Sequence, residues 1–217
     1  MKTFVVIGLG RFGSVIAEEL CNQGNEVLAI DPSPEAVQRI ADKVTHAAVG
    51  DAQDPDVLRS LGVGNYDCGV VAFSSDIGAS VLATLNLRDL GVQRIICKAR
   101  NPIHQEVLSK IGADLVVIPE HESGRKLALS LTKTDILNFI ELSEEYGIAE
   151  MILPPSWEQK SLRELDVRAL YQLNIVAVRN KNGQMHLSPG AGYVFQAGDT
   201  VFALGQNENI DRVQKKR

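Results

Sequence analysis

Residues 4–20 read FVVIGLGRFGSVIAEEL: an apolar run, three glycines and the start of an amphipathic helix. Gly8, Gly10 and Gly13 follow a strand pattern and open a helix, the context that lifts a G-x-G-x-x-G match above chance. The first glycine permits the tight turn, the second lets backbone approach a pyrophosphate, and the third lets the helix pack closely on the sheet. Phosphate oxygens then meet free N–H groups at the positive end of the helix. Asp31 closes the next apolar run 18 residues after Gly13, where its carboxylate can accept both hydroxyls of a ribose and repel a 2′-phosphate. The fingerprint alone fits NAD, an adenine mononucleotide or S-adenosylmethionine. Arg11, a large cation inside a turn that mainly needs small residues, tips the balance toward a polyphosphate.

The same rhythm continues outward. Apolar runs rich in β-branched residues occupy 3–8, 26–30, 44–50, 68–73, 94–99 and 115–119, with helical patterns at 11–23, 34–42, 55–61, 77–90 and 103–111. Ser33-Pro34 and Asp54-Pro55 each place a capping residue before a proline at the first helical position. Strands with no polar side imply burial on both faces, so a parallel, doubly wound sheet of the Rossmann kind is expected.

After Pro119 the pattern changes to a helix carrying Leu127, Ala128 and Leu131 on one side, then strand-like alternation from about Ile136. Residues 161–173 read as one short helix opened by a Ser161–Glu164 capping box. Residues 174–187 read as a hairpin on a type I′ turn at Asn182-Gly183. Residues 193–205 read as two strands around Ala197-Gly198-Asp199, and 207–214 as a final helix. The expected organisation is a nucleotide-binding domain over 1–118, a crossover helix and linker over 119–134, and a small α+β domain over 135–217.

Composition narrows the function. A net charge of −5 argues against nucleic-acid binding, and the only basic cluster, Lys215-Lys216-Arg217, reads as a solvated tail. No apolar run approaches a membrane span, and no charged leader precedes the first strand. Cys21, Cys68 and Cys97 lie apart in apolar segments, as reduced thiols do, which places the chain in the cytoplasm.

Other candidate residues gather at the carboxyl ends of the strands, where open sheets bind ligands. Asp51 either accepts from an adenine amine or caps its own turn; Ser74 and Ser75 face the same crevice, and Asp76 caps the helix that follows. Lys98 and Arg100 end the fifth strand. Catalysis lacks support: His46 and His186 have no sequence-local partner, and His104 reads as structural at a helix start. Glu120-His121-Glu122 can be read as metal ligands or as a solvated helix start. An enzyme is therefore not expected. The alternative is an NAD(H)-binding oxidoreductase or a redox-sensing Rossmann protein.

VVIGLGRFG (5–13), GDA (50–52), LNLRDLGVQRIICKARNPIHQEVLSKIGADLVVIPE (85–120) and ILNFIELSEEYGIAEMILP (136–154) together resemble the RCK (regulator of conductance of potassium) family. The likeness covers essentially the whole chain and is nearest the single-copy regulatory subunits of Ktr/Trk-type bacterial potassium uptake systems. It implies a homodimer assembling into an octameric ring, docked on the cytoplasmic face of a membrane potassium-translocating subunit. ATP would favour the conducting state and ADP the closed one. Carried over by motif, Gly8, Gly10, Arg11, Phe12 and Gly13 would cradle phosphates, and Asp31 would hold the ribose. Asp51 and Ala52 would lie by the adenine, and Lys98 and Arg100 on the phosphate side. Glu120 matches the position at which family members hold a divalent cation, Mg²⁺ or Ca²⁺, across the dimer. The chain departs from the commonest family pattern at Ser74-Ser75-Asp76. Some relatives bind cyclic di-AMP in the C-terminal domain; Arg168 and Asn174 fall in that neighbourhood, but Leu173 stands where a polar residue would favour it.

Overall fold

The computed structural model of the protein describes residues 1–132, 136–143 and 145–215. Lys216 and Arg217 of the basic cluster, and linker residues 133–135, lie outside them. The chain forms two compact units, Met1–His121 and Glu122–Arg217.

In the first unit, strands β1 (Thr3–Ile7), β2 (Glu26–Asp31), β3 (His46–Val49), β4 (Cys68–Val71), β5 (Arg94–Lys98) and β6 (Leu115–Val117) form one sheet. Its order is β3-β2-β1-β4-β5-β6, with every pairing parallel. Both faces of the central strands are buried, as the unbroken apolar runs require. Val5 and Ile7 of β1 join Leu28, Val71 and Ile95 in one core. Val6 joins Val27, Ala29 and Val70 in another. Helices α1 (Arg11–Asn22) and α2 (Pro34–Ile40) cover the second face; α3 (Pro55–Ser60), α4 (Ile77–Asp89) and α5 (Pro102–Lys110) cover the first. Cys68 and Cys97 are buried as small core residues, and burial pushes the Cys97 thiol up to about 11. Among the described residues no helix is long and apolar enough to cross a membrane.

Three capping residues act as read: Ser33 accepts from the Ala36 N–H, Asp54 from Asp56 and Asp76 from Ala79; Asn101, a cap that sequence reading missed, accepts from His104. Helix α6 (Pro119–Thr132) begins in the first unit and continues into the second.

The second unit is a five-stranded antiparallel sheet, with strands β7 (Ile136–Glu141), β8 (Tyr146–Ile152), β9 (Asn174–Arg179), β10 (Met185–Leu187) and β11 (Thr200–Gln206). Short helices α7 (Leu162–Leu165) and α8 (Val167–Tyr171), with α9 (Asn207–Lys215), complete it. Trp157, Phe195, Met151 and Ile210 are at the centre of its core.

Three local expectations are corrected. The 161–173 helix is two helices, because Asp166 takes a left-handed φ of 41° between them; the capping box itself is present. The hairpin does not use a type I′ turn: Gly183 is left-handed and Asn182 is not. The Gly183 N–H donates to the Asn180 carbonyl and the Asn180 N–H to the Gln184 carbonyl, which gives a three-residue loop ending in a left-handed glycine. Of the two strands expected over 193–205 only β11 forms; Val194 makes an isolated bridge to Ser161.

The glycine turn depends on one close approach. A Cβ on Gly13 would sit 1.9 Å from the Gly8 carbonyl oxygen, which is backbone and cannot yield. A Cβ on Gly10 would meet nothing within 4 Å. We expect Gly13→Ala to cost about 3 kcal/mol or more through overpacking. In thermal unfolding that is a drop on the order of 10 °C. Gly10→Ala should cost about 1 kcal/mol or less. Equal destabilisation by the two would contradict this division of roles.

Candidate functional site

The strand order reverses at β1, which pairs β2 on one side and β4 on the other, so the connections diverge between β1 and β4 and leave a crevice beyond the carboxyl ends. The crevice encloses about 1050 Å³. Nine of the expected site residues line it: Gly8, Gly10, Arg11, Phe12, Asp31, Ser74, Lys98, Arg100 and Glu120. Ser75 is with them.

At its base, α1 starts on Gly10 with no side-chain cap, unlike α2 to α5, so the N–H groups of its first turn face the crevice without a built-in acceptor. The absent side chain at Gly10 leaves backbone open to a ligand. Together these fit an anion, and a phosphate in particular. Asp31 holds the turn in place: Oδ2 accepts from the Leu9 N–H at 2.6 Å and Oδ1 from the Ser33 N–H at 2.8 Å. A carboxylate has about four lone-pair positions, so two remain for hydroxyl donors.

Three cations reach the crevice, Arg11, Lys98 and Arg100. Lys98 Nζ donates to Glu120 Oε1 at 2.6 Å and lies 5.6 Å from the centre of the Phe12 ring. That hydrogen bond, with Arg11 adding charge, holds the Glu120 carboxyl below the usual carboxylate range. Glu120 is thus engaged by a lysine, and no group of three metal-ligating side chains exists among the described residues.

Asp51, Ala52 and Gly13 lie apart from the crevice lining. Ala52 is buried in the core, with its carbonyl accepting from Asn86. Asp51 takes the turn role, accepting from the Gln53 N–H at 2.9 Å. Both follow β3, the edge strand farthest from the switch point on that side. Gly13 works by packing beneath Gly8. Sequence reading missed Phe73, whose ring lies against Gly8, and Val15, an exposed apolar residue at the crevice. The one signal for Val15 was an apolar side chain on the polar side of α1.

In the second unit, Arg168 and Asn174 line a pocket of about 760 Å³, joined by an Arg168 Nε–H to Asn174 Oδ1 bond of 2.9 Å. Leu173 beside them is 1% exposed and belongs to the core.

The fold and the crevice define a Rossmann-type nucleotide-binding unit followed by a small antiparallel-sheet domain. Residues 4–119 match the TrkA-N domain family and residues 148–216 the TrkA-C domain family. The chain is 40% identical over 215 residues to the Ktr system potassium uptake protein C of Bacillus subtilis (strain 168), covering 99% of this chain and 97% of that protein. It is equally similar, at 40%, to the same organism's Ktr system potassium uptake protein A, over 99% of this chain and 96% of that one. The chain belongs to this TrkA-N/TrkA-C family. Among solved structures, the GsuK channel shares the fold with a TM-score of 0.70 at 20% identity, over 97% of this chain and 38% of that one. GsuK structures bound to NAD and to ADP match with TM-scores of 0.54.

His104 carries out the structural role read for it. It is 1% exposed, and its Nδ1 accepts the Arg100 N–H at 3.3 Å, which fixes the backbone of a crevice residue. Burial pulls its imidazole below the ordinary value of 6.5. Below that pH the unfolded chain takes up a proton that the folded chain resists, so stability falls as pH drops through the mildly acidic range. Denaturation of His104→Gln across pH should show a shallower loss than the parent protein. Identical slopes would contradict a neutral buried imidazole.

Proposed function

We propose that the chain is a nucleotide-sensing, non-enzymatic regulatory subunit that gates a membrane potassium-translocating partner from the cytoplasmic side, with ATP activating and ADP inactivating. The observation that carries the ligand reading is the convergence of Arg11, Lys98 and Arg100 on an uncapped helix start beside Asp31. Such a cradle suits a polyphosphate attached to a ribose. The potassium partner is supported by the family and by full-length similarity to Ktr proteins. The non-enzymatic reading is supported by the same full-length similarity, since those relatives are potassium uptake proteins.

In this reading Gly8, Gly10 and the first-turn N–H groups hold the phosphates and Asp31 the ribose hydroxyls. Lys98 and Arg100 complete the charge. Arg11 meets the terminal phosphoryl group, the only feature that distinguishes ATP from ADP. A ligand shifts a conformational balance only through differential affinity for the two states. A charge-assisted contact contributes roughly 1.5–3 kcal/mol. Repeated over the sites of a ring, it reaches the about 5.5 kcal/mol that reverses a two-state population. Assembly of copies is supported by exposed apolar side chains on successive helices, Leu82, Ile103 and Leu131. Glu120 supplies one carboxylate toward a divalent cation, which wants several oxygens, so phosphates and a second copy's carboxylate would complete that site.

Calorimetry with ATP, ADP and NADH tests the proposal. Both adenine nucleotides should bind, and Arg11→Ala should bring their affinities together, with a loss of about tenfold or more for ATP. An ATP preference unchanged by Arg11→Ala places the sensor elsewhere. Tight NADH binding with no ATP binding overturns the assignment.

A further inference from the structure

We propose that the Lys98–Glu120 ion pair is a built-in competitor for the phosphate site: Glu120 occupies Lys98 until a phosphoryl oxygen of the nucleotide replaces it, and α6 registers binding through the release of Glu120. This rests on the nucleotide reading above and assigns its regulation. The two side chains line the same crevice as the uncapped start of α1. To an ammonium group, a carboxylate and a phosphoryl oxygen are the same kind of acceptor, and the phosphate carries more charge. Lys98 has three N–H donors, but a carboxylate and a phosphate brought to the same ammonium group repel each other, so the more highly charged phosphate displaces the carboxylate.

The asymmetry of the pair says which partner leaves. The Lys98 side chain is 15% exposed and packs over Phe12, a residue of the phosphate turn; the Glu120 side chain is 70% exposed. Lys98 therefore stays with the turn, and Glu120 swings toward solvent. Glu120 also sits in the first turn of α6, the helix that continues into the second unit. A carboxylate bound to Lys98 ties that turn to the end of β5, and exchange unties it. The same exchange frees the oxygens that a divalent cation would need.

The test is a double-mutant cycle, read by calorimetric titration of ADP into the full chain with EDTA present, so that no cation obscures the competition. Glu120→Gln should bind ADP about threefold more tightly than the parent, the size of an exposed ion pair. In a Lys98→Met background the same change should have no effect, and Lys98→Met alone should weaken ADP. Lys98→Gln replaces Lys98→Met if the latter does not fold. Unchanged or weaker ADP binding in Glu120→Gln, or equal tightening in both backgrounds, overturns the exchange while leaving the nucleotide reading intact. If the parent chain binds no adenine nucleotide at all, the nucleotide reading fails first.

Discussion

The contact on which the rest depends is the approach of Gly13 to the carbonyl of Gly8. The space between α1 and the end of β1 is too small for a single methyl group, since a Cβ at Gly13 would stand 1.9 Å from that oxygen. This closeness aims the uncapped start of α1 into the gap between β1 and β4. Gly8 supports it from the other side, with a φ of 92° and the Phe73 ring where a side chain would be. Asp31 then bonds the loop on both sides of itself, to Leu9 and to Ser33. Anion-binding groups are thus fixed before any anion arrives, and little ordering remains to oppose binding.

Charge is distributed over this frame unevenly. Arg11, Lys98 and Arg100 come from two distant parts of the sequence, and Glu120 from a third, yet all reach one crevice. An unopposed group of three cations would repel itself; the Lys98–Glu120 pair lowers that cost while leaving the cradle electropositive. His104 contributes indirectly: from a buried position its Nδ1 accepts the backbone N–H of Arg100. The site is therefore an electrostatic device set at the carboxyl ends of the central strands. Its lining is suited to hold and discriminate charge.

The first unit was legible in the sequence because its physics is local or periodic. Strands buried on both faces read as unbroken apolar runs, and Ser33-Pro34 and Asp54-Pro55 announce helix starts that the structure confirms. The glycine turn was legible for the same reason, since its glycines answer to constraints within a few residues. Longer-range geometry was not legible. Asp51 and Ala52 follow a strand end as the other candidates do, but β3 is at the edge of the sheet, and in this structure one accepts within its own turn while the other packs in the core. The Lys98–Glu120 pair spans 22 residues and has no sequence signature. In the second unit, the Asp166 break and the turn ending at Gly183 are set by single backbone angles, which periodicity does not report.

The central claim is that the crevice at the end of β1 holds the phosphates of an adenine nucleotide and that Arg11 reads the last of them. A crystal structure of the chain grown with ATP tests this most directly. The account predicts phosphate oxygens against the first-turn N–H groups of α1, with the Arg11 guanidinium, from either copy in the dimer, on the terminal phosphoryl group. Phosphates bound away from that turn, or an Arg11 side chain turned to solvent in every copy, would contradict it.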